Sequence, residues 1–215
     1  MRIGVLGTGM VGQTIATRLV ELGHEVKMGS RSAGNEKAVD WASGASEGAS
    51  EGSFGDAASF GEVVFNCTPG AASVDALRMA GPENLSGKVL VDVSNPLDFS
   101  KGMPPTLSVC NDDSVGEQIQ REFPDARVVK ALNTVNASIM VDPSQVPGSV
   151  IFVCGNDDAA KAEVGELLQS FGWPGDDVLD IGDIAGARGT EMYLPLWLRM
   201  MGALGTPSFN IAVVR

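Results

Sequence analysis

The sequence predicts an α/β protein of the Rossmann type, a doubly wound and mostly parallel sheet followed by a small C-terminal domain. Three observations carry this. Short apolar runs rich in β-branched residues alternate with amphipathic helical patterns along most of the chain. The first run, residues 3–6, leads straight into Gly7-Thr8-Gly9-Met10-Val11-Gly12, a G-x-G-x-x-G spacing, and then into a helical pattern over 11–22. Hydrophobic residues make up 44% of the 215, enough for a core.

The elements follow in order. Strands are expected at 3–6, 25–28, 63–67, 89–93, 128–132, 150–154 and 178–181, each a short apolar run between turn signals. Helices are expected at 11–22, 36–42, 73–80, 115–122 and 159–171. Residues 43–61 are rich in Gly, Ala, Ser and Glu, and read as a loop or as a short strand near 52–54 with a weak helix after it. The boundary between a dinucleotide-binding domain (1–135) and a smaller C-terminal domain (136–215) is placed after the strand at 128–132. In the smaller part, Met192, Leu196, Met200 and Leu204 recur at helical spacing with Trp197 and Met201 beside them. That stripe suits core or dimer packing, or a wall facing a cofactor. Pro195 kinks this segment or falls in its first turn. Residues 209–214 read as a final strand.

Each glycine of the first turn has a physical task. Gly7 makes the tight turn, Gly9 lets the backbone approach a pyrophosphate, and Gly12 lets helix and strand pack closely. The unpaired N–H groups of the helix N-terminus then face the anion. The second strand ends in Gly29-Ser30-Arg31-Ser32, with no Asp or Glu to take ribose hydroxyls. Two hydroxyls and a guanidinium, with Lys37 further on, suit a 2′-phosphate, so NADP(H) is expected over NAD(H). The alternative is a solvated basic turn opening the next helix.

Ligands of an open α/β sheet bind at the carboxyl ends of its strands. Three later strands leave the sheet as Asn66-Cys67-Thr68-Pro69-Gly70, Ser94-Asn95-Pro96-Leu97 and Lys130-Ala131-Leu132-Asn133-Thr134. Such a rim of hydroxyls and amides can hydrogen-bond a nicotinamide carboxamide, although turn chemistry also explains Thr-Pro and Asn-Pro. No side chain is expected to act as a catalytic acid or base. His24, the sole histidine, falls in the turn before the second strand, at the far edge from any ligand. Tyr193, the sole tyrosine, lies in the C-terminal segment. Lys130, inside a strand near its exit, is the best remaining candidate acid, with a structural role as the equal alternative. A substrate that accepts hydride at carbon, such as a flavin-like ring, fits this site best.

A formal net charge of −12 argues against nucleic acid or an anionic membrane as partner. No apolar run approaches the roughly 20 residues that span a bilayer. The chain opens directly on its first strand, so no signal peptide is expected. Cys67, Cys110 and Cys154 are dispersed, which fits a reducing cytoplasm and neither a disulfide nor a metal site.

These residues together resemble the NADPH-dependent coenzyme F420 reductases. The resemblance runs over essentially the whole chain. It rests on Gly7-Thr8-Gly9-Met10-Val11-Gly12, Ser30-Arg31, the 91–96 stretch, Lys130-Ala131-Leu132-Asn133-Thr134, and Ala187-Arg188 with Glu191. The chain is also similar to the NADPH domain of membrane ferric reductases, which passes hydride to FAD. The resemblance implies a homodimer that holds NADP(H) along the glycine turn, with the deazaflavin stacked on nicotinamide. It implies Thr8 to Val11 at the pyrophosphate, Ser30, Arg31 and Lys37 at the 2′-phosphate, and the backbone near Ala137 at the nicotinamide. Thr68, Pro69, Asn95, Pro96, Asn133 and Thr134 complete the expected site. Asn133 and Asn95-Pro96 depart from the family pattern on the acceptor side. Hydride passes directly between the rings. The competing expectations are an FMN or FAD reductase and an NADPH-binding sensor without turnover.

Overall fold

The computed structural model describes residues 1–214. In chain order the elements are β1 (Arg2–Leu6), α1 (Met10–Glu21), β2 (Glu25–Ser30), α2 (Glu36–Gly44), β3 (Ala49–Ser53), α3 (Phe54–Phe60) and β4 (Val63–Asn66). Next come α4 (Gly70–Ala80), α5 (Pro82–Leu85), β5 (Val89–Asp92), the short hairpin β6 (Leu97–Asp98) and β7 (Thr106–Leu107), α6 (Val115–Glu122) and β8 (Arg127–Ala131). The chain closes with α7 (Ala137–Val141), β9 (Ile151–Gly155), α8 (Asp158–Phe171), β10 (Val178–Asp180), α9 (Ala187–Met192) and α10 (Leu194–Leu204).

Eight strands form one sheet in the order β10-β9-β8-β5-β4-β1-β2-β3. All neighbours are parallel except β8 and β9, which run antiparallel. The order reverses between β1 and β4, and that switch point opens a crevice at the carboxyl edge. The strands are buried on both faces, so period two sorts their side chains. Ile3, Val5, Val26, Met28, Phe65 and Val91 enter the core under α1 and α8. Leu6, Val64, Leu90 and Val128 enter the second core under α3, α4 and α6.

The strand–turn–helix start and helix α6 stand where the sequence places them, and residues 43–61 take the strand-and-helix alternative, with the strand at 49–53 and not near 52–54. Beyond residue 135, read as the start of a smaller domain, the chain gives α7 and then β9 and β10, which extend the same sheet. One expectation is corrected. Residues 209–214 form no strand. A single backbone bond runs from Val150 N–H to the Ile211 carbonyl at 3.0 Å. The next position is taken by a side chain, since Asn210 Nδ2 donates to the Val150 carbonyl at 2.8 Å. A side-chain amide in place of a backbone N–H stops a ladder after one rung.

Candidate functional site

A cleft of about 880 Å³ opens at the carboxyl edge, over the switch point. Gly7 to Val11 form its floor, Ser30, Arg31 and Asn35 one end, and Cys67 to Pro69 with Val93 to Asn95 the other. The glycine turn has the expected division of labour. Gly7 sits at φ +120°, where a side chain is strained, and its Cβ would also meet the Cys67 carbonyl at 2.7 Å. A Cβ on Gly12 would lie 2.1 Å from the Gly7 carbonyl, so helix and turn touch there. Gly9 is different, because a Cβ on it meets nothing within 4 Å and points into open space. Gln13 Nε2 donates to the Thr8 carbonyl at 3.0 Å and holds the turn from behind.

Helix ends sharpen this picture. Side chains cap the N-termini of α2 (Asn35), α3 (Ser53), α6 (Ser114), α7 (Asn136) and α8 (Asp157). Helices α1 and α4, which open on the cleft after Gly9 and Pro69, have no side-chain cap. At α1 the first N–H groups are left for an anion or a polar ligand, whereas at α4 the Gly70 N–H already donates to the Asn95 carbonyl at 3.2 Å. The open space at Gly9 and the bare end of α1 together fit a dinucleotide pyrophosphate.

At the β2 end, Ser30 Oγ is buried and donates to the Ser32 carbonyl at 2.5 Å, so it shapes the turn. The Arg31 side chain is exposed, lines the cleft, and has no ion-pair partner among the described residues. The Glu51 carboxylate reaches this turn from β3 but is taken by the Gly34 N–H at 3.0 Å. Lys37 lies on α2, exposed, and is not among the cleft-lining residues. Asn35 lines the cleft, and two residues on, the helix has turned by roughly 200°.

At the other end the structure brings Thr68, Pro69 and Asn95 to the wall. Asn133 is drawn out of it. Asn95 Nδ2 donates to the Asn133 carbonyl (2.9 Å), and Asn133 Nδ2 donates to Asn95 Oδ1 (3.0 Å), so the exits of β5 and β8 are tied together. Pro96, Thr134 and Ala137 are buried behind this tie, outside the cleft lining.

Beneath the tie lies a buried polar chain. Thr68 Oγ1 donates to Asn66 Oδ1 at 2.7 Å, and Asn66 Nδ2 donates to Asp92 Oδ1 at 2.9 Å. Lys130 Nζ is 2.8 Å from Asp92 Oδ2 and 2.7 Å from Glu191 Oε1. Glu191 accepts the Val115 and Gly116 N–H groups at the start of α6, at 2.9 and 3.1 Å. Burial works against the Lys130 ammonium, but the two carboxylates outweigh it and hold its pKa above the ordinary value. Burial raises the Glu191 pKa, and Lys130 only partly offsets that. Lys130 is therefore engaged by structure, the second of its two expected roles. Cys67 lines the cleft with its pKa pushed up, by burial first and by Asp92 second, so it stays a thiol. His24 stands at the amino edge, where its Nδ1 lies 3.4 Å from the terminal amine.

Sequence reading missed the third wall. Ala72, Asp75, Ala76 and Met79 line the cleft from one face of α4, with Phe54 beside them and Leu97 and Phe99 from the β6–β7 hairpin. The 72-75-76-79 spacing directly after a strand exit was the available signal.

A mostly parallel sheet, a glycine turn at its switch point and a cation at the β2 end define a dinucleotide-binding protein of the Rossmann type. The comparisons agree. The model of the family described as NADP oxidoreductase, coenzyme F420-dependent, matches residues 2–96. The F420-dependent NADP reductase of Methanocaldococcus jannaschii is 32% identical over 207 residues, covering 91% of this chain and 90% of that protein. Metalloreductase STEAP3 of Rattus norvegicus is 30% identical over 201 residues, and there the match spans 91% of this chain but only 38% of the relative. A crystal structure from Arthrobacter sp. FB24, provisionally assigned as an F420-dependent NADP reductase, is 53% identical with a TM-score of 0.94 and covers both chains fully. The chain belongs to the F420-dependent NADP reductase family and is an NADP-dependent oxidoreductase.

Proposed function

We propose that this protein transfers hydride directly between NADP(H) and the deazaflavin coenzyme F420. The observation that carries the reading is the chemistry of the cleft wall at the β4 and β5 exits. It is built from Cys67, Thr68, Pro69, Val93, Ser94, Asn95, Leu97 and Phe99. Neutral hydroxyl, amide and apolar groups suit two flat rings held face to face, with proximity and orientation supplying most of the rate. In this reading Gly9 to Val11 hold the pyrophosphate and Arg31 the 2′-phosphate. Thr134 and Ala137 stand behind the nicotinamide end, and residues 136–215 complete the acceptor side.

The test is a label. NADPH carrying deuterium on one face of nicotinamide C4 is offered with F420, FMN or FAD in turn. Deuterium at C5 of the reduced deazaflavin is the expected result. Solvent hydrogen at that carbon overturns direct transfer. Turnover with FMN or FAD alone makes the protein a flavin reductase, and no turnover with any of the three makes it a nucleotide-binding sensor.

Arg31→Ala tests the phosphate assignment. It is expected to weaken NADPH binding by about 1.5–3 kcal/mol, the range for a hydrogen bond to a charged group, and to leave NADH binding unchanged. Equal losses for both cofactors in fluorescence titration refute the assignment.

We also place the protein in the cytoplasm as a homodimer. Among the described residues no helix is long and apolar enough to cross a membrane, and Cys67, Cys110 and Cys154 are free thiols. Helix α10 is apolar but buries only Leu194, leaving Leu196 and Leu204 more than half exposed. That face suits a second copy, and sedimentation velocity reads the stoichiometry directly.

A further inference from the structure

Ser94 stands 4% exposed in the cleft wall, and its Oγ has no hydrogen-bond partner. The other buried hydroxyls that line the cleft are engaged. Thr68 Oγ1 donates to Asn66, and Ser30 Oγ donates to the Ser32 carbonyl. A buried hydroxyl without a partner costs stability, so its presence calls for a reason.

The backbone on both sides of this hydroxyl is fixed. The Ser94 N–H donates to Asp92 Oδ1 at 3.1 Å, and the Ser94 carbonyl accepts from Lys130 Nζ at 2.6 Å. The next residue, Asn95, is tied to Asn133 by two bonds. The Cα that carries the hydroxyl is thus held in place in the wall.

Sheet order says what passes in front of it. The cleft runs β2-β1-β4-β5. With the 2′-phosphate at Arg31 after β2 and the pyrophosphate at the glycine turn after β1, Ser94 after β5 is three strands from Arg31. At roughly 4.8 Å per strand that is about 14 Å, so the dinucleotide's far ring arrives there. The ring's polar substituent is a primary carboxamide, with an N–H donor and a carbonyl acceptor, and a hydroxyl can serve either.

We propose that the Ser94 hydroxyl binds the nicotinamide carboxamide and fixes which face of the ring meets the acceptor. The inference rests on NADP(H) lying along the cleft as proposed above.

Binding alone tests it, with no acceptor present. Two probes are titrated into the full-length protein: NADP⁺, and 2′-phospho-ADP-ribose, which has the same phosphates and adenosine but no nicotinamide. Ser94→Ala is expected to weaken NADP⁺ three- to tenfold and to leave 2′-phospho-ADP-ribose unchanged. Ser94→Cys, a similar shape with a weak donor, is expected to fall between. The melting temperature of ligand-free Ser94→Ala is expected to stay level or rise, because an unpaired buried oxygen has been removed. Unchanged NADP⁺ affinity, equal losses for both probes, or a lower melting temperature with affinity retained overturns the assignment. Gly9→Val serves as control. If it leaves NADP⁺ binding intact, the placement of the dinucleotide itself fails. If it abolishes binding while Ser94→Ala does nothing, only the Ser94 assignment fails.

Discussion

Gly9→Val is expected to abolish NADP(H) binding in a protein that folds normally. The two halves of that result have separate causes. Gly9 has φ −79°, a backbone any residue adopts, and a Cβ there meets no protein atom within 4 Å. The native chain therefore accepts the side chain without strain. The same open space is where the pyrophosphate must approach the N–H groups of α1, and a branched side chain fills it. An affinity loss of at least ~100-fold, about 2.7 kcal/mol, with a melting temperature close to the parent, is the signature. Gly12→Val gives the contrast, since its Cβ starts 2.1 Å from the Gly7 carbonyl and the fold itself must yield. Cofactor titration beside calorimetry separates the two. A Gly9→Val protein that binds NADPH like the parent makes the turn purely structural.

Lys130→Met is expected to be the most destabilising single change in the sheet. The ammonium is 1% exposed and is the cation between Asp92 and Glu191, which are 0% and 1% exposed. Removing it leaves two buried carboxylates facing each other, a loss of about 3–5 kcal/mol. At roughly 2–4 °C per kcal/mol for a chain of this size, the melting temperature falls by about 10 °C. Calorimetry on the ligand-free protein measures it, and a shift under 2 °C would show that the cluster contributes little. The pair Asn95–Asn133 is expected to loosen as well, because Lys130 also holds the Ser94 carbonyl next to it.

What could be read in the sequence was what neighbours in the chain decide. The strand, glycine turn and helix over residues 2–22 follow from local spacing, as do the apolar strands and helix α6. Strand direction did not follow, because an apolar run buried on both faces looks the same either way, and β9 runs against β8. Phe209, Ile211 and Val213 alternate like a strand, but the Asn210 amide replaces the rung a strand needs. The role of Lys130 stayed open between acid and structure since its partners lie far off, Asp92 at 38 residues' separation and Glu191 on α9. Asn133 had the right chemistry for a ligand, and only the fold shows that Asn95 claims it first. The β2 end of the cleft was legible because one strand end supplies it. The ring end draws on β4, β5 and the β6–β7 hairpin together, and no single stretch of sequence announces that.

The bare N-terminus of α1 has a consequence for how this protein lives in a cell. A ligand that supplies the missing acceptors binds the native chain and not the unfolded one. Its free concentration then enters the folding equilibrium directly. At a hundred times its dissociation constant such a ligand adds about 2.7 kcal/mol, comparable to a good part of a typical domain's whole margin. With NADP(H) as that ligand, as proposed above, the abundance of the protein is expected to follow the size of the nucleotide pool. A shortage of cofactor lowers turnover, and it also leaves more of the chain open to proteolysis.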